Sequence, residues 1–308
     1  MKKSIVLAIL AALFYAVNAP LSKLLLITVP PAFMASFLYL GAGVGVGIVY
    51  LFRYAKEESS ERLSIADLPY AIGMIVLDIA APIFMMLGIR LGTASNASLL
   101  GNFETAATTL IALLIFKEVV SPKLWIAIGF ITISSALLSF EATAGFRFSI
   151  GSLFVIFATL CWGLENNCTR RIADKSTYEI VLLKGIFSGL GSFAIAYITG
   201  EKLPGAKYIL FAMMLGFVAY GLSIFSYIRA QRDLGAAKTS AFYAIAPFAG
   251  SFLAFVVVDE KLSASYLVGL GFMLLGTTFV IWDTLGKAHG HLHTHTITHA
   301  HNDTMQPP

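Results

Sequence analysis

Charge is scarce in this chain. Lys, Arg, Asp and Glu make up 12% of its 308 residues, where a soluble domain carries about 25%. With 58% hydrophobic residues, too little polar side chain exists to cover a water-exposed surface. Histidine is absent from the first 288 positions. The two cysteines, Cys161 and Cys168, fall about two turns apart on one expected helix, too far for a disulfide. They read as small buried apolar groups. No glycine-rich phosphate loop occurs, so ATP does not drive the protein directly. No catalytic constellation marks an enzyme, and no repeated selectivity element marks a channel. The net charge of +4 reflects loop placement and not nucleic-acid binding.

What the chain does have is apolar runs of roughly 20 residues, each enough to cross a ~30 Å hydrocarbon core. Backbone amides in lipid must bond internally, and the runs lack strict alternation, so they read as helices and not barrel strands. The expectation is an all-α integral membrane protein of ten helices, near 4–29, 31–52, 66–89, 93–116, 122–141, 149–172, 178–199, 206–231, 235–258 and 263–285. Met1-Lys2-Lys3 before an apolar run resembles a secretion signal, but no Ala-x-Ala-like site follows, and the segment reads as a retained first helix. Fourteen of the 21 Lys and Arg fall at the ends facing the N-terminal side. Lys2, Lys3, Arg53, Lys117, Arg170 and Arg229 are among them. This bias predicts a multi-pass protein of the cell (inner or plasma) membrane with both termini cytoplasmic.

The chain also repeats itself. Leu13-Phe14-Tyr15-Ala16-Val17-Asn18-Ala19-Pro20-Leu21-Ser22-Lys23 aligns with Leu160-Cys161-Trp162-Gly163-Leu164-Glu165-Asn166-Asn167-Cys168-Thr169-Arg170. Leu91-Gly92-Thr93-Ala94 aligns with Leu234-Gly235-Ala236-Ala237, and Lys117-Glu118 with Asp259-Glu260. The predicted units are a five-helix repeat at 1–141, a second at 149–285 and a tail at 286–308. Five spans per copy put the copies in opposite orientations, the build of many secondary transporters, whose sites lie at mid-membrane between the halves. Gly41, Gly43, Gly45 and Gly47 in helix two, and Gly185 and Gly189 in its counterpart helix seven, let backbones approach closely.

The expected site follows from cost. Asp78, Glu104 and Glu165 lie well inside spans, where a charge is expensive unless it meets water or a partner. Tyr15, Asn18 and Ser22 share one helix face, and Trp162, Glu165 and Thr169 share the matching face of the repeat. Tyr15, Asn18, Asp78, Glu104, Trp162 and Glu165 are therefore the candidate substrate- or cation-binding residues. On helix four, Glu104 shares a face with Ala97, Gly101 and Thr108, off the stripe of Ser98, Asn102, Thr105 and Thr109. Lys184 reads either as a partner for one carboxylate or as a snorkelling end group. Tyr220, Ser223 and Tyr227 share a face on helix eight.

All six histidines crowd into the tail: His289, His291, His293, His295, His299 and His301. Neutral imidazole ligates zinc, nickel and copper, so the tail is expected to bind Zn or Ni. No cofactor is otherwise required.

The two five-helix halves, each closing on an acidic-basic turn before a Gly-containing last helix, resemble the EamA-type family of the drug/metabolite transporter superfamily. Phe116-Lys117-Glu118 leads to Gly129 in the first half, and Asp259-Glu260-Lys261 to Gly271 in the second. Tyr243-Ala244-Ile245-Ala246-Pro247 adds to the resemblance, which covers about residues 4–285. It implies inverted repeats, a central cavity and export of amino acids or other small metabolites. The chain departs from the family at Glu104, where proline is common. Two further functions compete: a divalent-cation transporter, and a membrane metal sensor whose working part is the tail. The expected partners are a small-molecule substrate and the lipid bilayer.

Overall fold

The computed structural model of the protein describes residues 2–52, 62–117, 120–141, 147–172, 175–234, 239, 242–261 and 263–290. The first half contains α1 (Lys2–Ala16), α2 (Asn18–Leu25), α3 (Pro31–Leu51), α4 (Leu68–Leu91), α5 (Ala94–Leu100), α6 (Phe103–Phe116) and α7 (Pro122–Ser139). The second contains α8 (Ile150–Arg170), α9 (Thr177–Leu183), α10 (Gly189–Ile198), α11 (Ala206–Gly216), α12 (Ser223–Leu234), α13 (Ala246–Val257) and α14 (Ala264–Gly290). A two-residue antiparallel pairing, Phe140–Glu141 with Arg147–Phe148, joins the halves.

Local sequence explains the interruptions. Pro20 has no N–H for the carbonyl of Ala16, and the helix breaks at Val17 between α1 and α2. Glycine and asparagine at 101 and 102 separate α5 from α6. Two stretches wind as π-helix: Lys184–Ser188 between α9 and α10, and Phe217–Leu222 between α11 and α12. Such bulges recur at functional sites, and these two carry Lys184 and Tyr220.

Among the described residues, eight helices are long and apolar enough to cross a membrane. Ten were expected. The two that fall short are α8 and α13. In α8, Glu165, Asn166, Asn167, Thr169 and Arg170 dilute a 21-residue helix. α13 keeps only 12 residues, because it starts after the turn at Ala244–Ile245. Outward-facing side chains are apolar, among them Ile48, Val76, Phe252 and Val256, as a lipid-facing surface requires.

α3 is the most buried span. Phe33, Met34, Phe37, Leu38 and Tyr39 place it at the centre. Helices in lipid gain little from apolar burial alone; close packing and interhelical hydrogen bonds hold them. A Cβ on Gly43 would stand 2.8 Å from the carbonyl carbon of Gly185, so the two backbones touch. Around this pair, α4 packs along α8, α1 along α12 and α13, α6 along α8, and α7 along α14.

Candidate functional site

A connected set of polar side chains crosses the bundle at mid-span. At one end, Asn18 is buried at the start of α2. Ser22 Oγ donates to Asn18 Oδ1 at 3.2 Å, and Asn18 Nδ2 donates to Tyr220 Oη at 3.2 Å. The Tyr220 ring lies 6.0 Å from that of Tyr15 and 5.3 Å from that of Tyr39. Tyr39 Oη donates to Asp78 Oδ1 at 3.0 Å. Lys184 Nζ lies 3.2 Å from Asp78 Oδ2 and 2.9 Å from Glu165 Oε1. Thr169 donates to Glu165 one helical turn away. Asp78 is 0% exposed, Glu165 2% and Lys184 17%. One ammonium thus joins a carboxylate of the first half to one of the second.

Pro82, inside α4, lacks the N–H that would bond the carbonyl of Asp78. The same spacing recurs at Pro247 and Tyr243. Tyr243 continues the aromatic wall: its ring lies 6.0 Å from Tyr15 and 5.2 Å from Tyr227.

Glu104 belongs to a second arm. Its Oε1 accepts from Asn166 Nδ2 at 2.6 Å, and the same nitrogen lies 3.4 Å from Thr108 Oγ1. Asn167 Nδ2 donates to the carbonyl of Thr108 at 3.2 Å. The Glu104–Thr108 face therefore meets α8, while Thr109 of the other stripe bonds back to the carbonyl of Thr105. Asn102 Nδ2 is buried without a hydrogen-bond partner among the described residues.

Five of the six expected residues join the first arm. Asn18, Asp78 and Glu165 are linked by hydrogen bonds and ion pairs, Tyr15 is held by ring contacts, and Trp162 is buried beside Tyr39. Glu104 bonds to Asn166 on the second arm and lies near enough to interact electrostatically with Tyr15, Glu165 and Lys184. Sequence reasoning did not single out Tyr39, whose one signal was a hydroxyl amid the glycines of α3. Lys184, which lies nearer a helix end and could equally snorkel by its sequence position, pairs with both Asp78 and Glu165. His289 lies at the end of α14, and His291, His293, His295, His299 and His301 lie outside the described residues. Among the described residues, no group of three or more His, Cys, Asp or Glu could hold a metal ion.

A multi-pass helical bundle with a buried charged network at mid-span is the plan of a membrane transporter. Similarity to known proteins agrees. The profile of the EamA-like transporter family matches residues 2–140 and again 149–282. The chain belongs to that family. An uncharacterized transporter of Methanothermobacter thermautotrophicus is 24% identical over 297 residues, covering 89% of this chain and 85% of the relative. Another, of Clostridium kluyveri, is 22% identical and covers 90% of this chain and 92% of its own. The uncharacterized transporter YyaM of Bacillus subtilis is 22% identical over 80% of this chain. A solved crystal structure, 16% identical, superposes with a TM-score of 0.65 over 91% of this chain and 96% of its own, which shows the fold.

Proposed function

We propose that this membrane transporter is a secondary exporter of small metabolites, amino acids or related compounds, coupled to protons through its intramembrane carboxylates. The observation that carries this reading is the Asp78–Lys184–Glu165 bridge between the halves. A charge at membrane depth is retained where it serves a solute or ion path. Glu104 is the candidate proton carrier, because Lys184 engages the other two acids. Tyr15, Asn18, Trp162 and Tyr220 form the solute-facing wall.

In this reading all ten helices cross the cell membrane, and the halves are inverted copies. The packing pattern is symmetric between the halves: exchanging them turns the α4–α8 contact into α12–α1 and α6–α8 into α13–α1, while α7–α14 maps onto itself. An odd number of spans in each half then makes the copies inverted. Both termini face the cytoplasm, as the Lys and Arg bias requires.

Flux into proteoliposomes, with and without an imposed pH gradient, against a panel of amino acids, amines and metal ions tests the proposal. Gradient-stimulated flux of an organic solute is expected; metal flux alone would replace it with the divalent-cation reading. That second reading rests on the six tail histidines. In it the tail captures zinc or nickel for transport or sensing.

A further inference from the structure

Three carboxylates of the second half fasten onto the first. Glu201 accepts from the N–H groups of Ala32 at 3.1 Å and Phe33 at 3.0 Å, at the start of α3. At the other end of α3, Glu179 accepts from Tyr50 Oη and from Leu63 N–H, each at 2.8 Å. Between these ties, Gly43 and Gly185 bring the backbones together. The pairing of α3 with α9–α10 is thus held at both ends and in the middle. Hinging it would break charged hydrogen bonds, each worth more than a neutral one, at both of its ends.

The third tie joins different helices. Glu260, in the turn between α13 and α14, accepts from Ala94 N–H at 2.6 Å and Ser95 N–H at 2.9 Å, at the start of α5. A carboxylate is favoured there by the unpaired amides and the positive end of the helix dipole. Ser251 of α13 donates to the carbonyl of Ser95 at 3.1 Å in the same place. Lys23 donates to the carbonyls of Ile89 at 2.7 Å and Gly92 at 2.5 Å, closing the neighbouring end of α4. Lys23 of α2, the 91–94 connection and Glu260 thus meet on this one face. α5 leads into α6, which carries Glu104.

We propose that Glu260 is the positioning residue that latches this face shut, and that the α3 pairing with α9–α10 is the fixed axis about which it opens. When the central site opens to this face, α5–α6 parts from α13–α14 at Glu260, while the Glu201 and Glu179 ties persist. The latch acts whatever the solute, so its test does not depend on the proposed substrate.

Two measurements on the full-length protein in lipid nanodiscs test it. In the unaltered protein, the amides of Ala94 and Ser95 should exchange with deuterium faster than those of Ala32 and Phe33. Spin labels at the exposed positions Arg90 and Lys261, with Cys161 and Cys168 changed to Ser, report the opening directly. Glu260→Gln should shift the ratio of long to short distances by about tenfold, what 1.4 kcal/mol would produce. Glu201→Gln should lower the melting temperature without lengthening the distances. Slower exchange at 94–95 than at 32–33 would overturn the latch. So would a Glu260→Gln distribution matching the parent, or equal opening by Glu201→Gln.

Discussion

Lys184 of the second half lies 3.2 Å from Asp78 of the first, and the same ammonium holds Glu165 at 2.9 Å. Both acids are nearly sealed from solvent. Each would be an unpaired buried charge without the lysine.

Lys184→Met should therefore be severely destabilising. Removing one partner of a buried pair costs about 3–5 kcal/mol, whereas replacing the whole group can be neutral. The triple variant Lys184→Met, Asp78→Asn, Glu165→Gln should recover most of that stability while losing transport. Reversible unfolding in mixed detergent micelles measures both. A single variant as stable as the parent would show that the bridge holds nothing.

Glu104 makes a different prediction, since it engages an amide and not an ammonium. Glu104→Gln should fold normally. Its flux should lose its response to a pH gradient, because glutamine cannot take up a proton. Flux measured from pH 5 to pH 8 decides; an unchanged pH profile removes Glu104 from proton coupling.

Gly185 and Gly129 give a paired comparison. A Cβ at Gly185 meets the backbone of Gly43, and one at Gly129 meets nothing within 4 Å. Gly185→Ala should cost about 1–3 kcal/mol through overpacking. Gly129→Ala should be neutral or stabilising by about 0.5–1 kcal/mol, the usual gain of alanine over glycine inside a helix. Thermal unfolding of the two variants checks the order.

For the tail, a peptide of residues 286–308 should bind zinc or nickel through several imidazoles. Protonated imidazole cannot ligate, so affinity should be high above the histidine pKa of about 6.5 and fall as pH drops through it. Calorimetry at pH 5.5 and 7.5 measures this. A chain ending at Gly286 should keep its flux of organic solute in metal-free buffer; loss of that flux would place the tail in the transport path.

Much of the site was legible because the chain states it twice. The alignment of Asn18 and Ser22 with Glu165 and Thr169 placed each acceptor one turn before a hydroxyl. In both copies that hydroxyl donates back to it. The glycines of α3 announced a close contact, since small residues at that spacing have little other use in lipid. Scarce charge made Asp78, Glu104 and Glu165 conspicuous.

Partnership across helices was not legible. Helical spacing says which side chains share a face of one helix, and nothing about which face of another helix arrives opposite. That is why Tyr39 carries no clear signal in the sequence, why Lys184 can be read there in two ways, and why Asn166 is not evident as the hydrogen-bond partner of Glu104. By itself, the sequence determined a membrane-spanning helical bundle, its internal duplication and its costly mid-span residues. Those follow from composition and local spacing. Only the tertiary structure decided that Lys184 neutralises Asp78 and Glu165 while Glu104 turns to Asn166. Charge pairing over 3 Å depends on how α4, α8 and the π-turn at Lys184 pack, a relationship between separate segments that the spacing within any one of them does not contain.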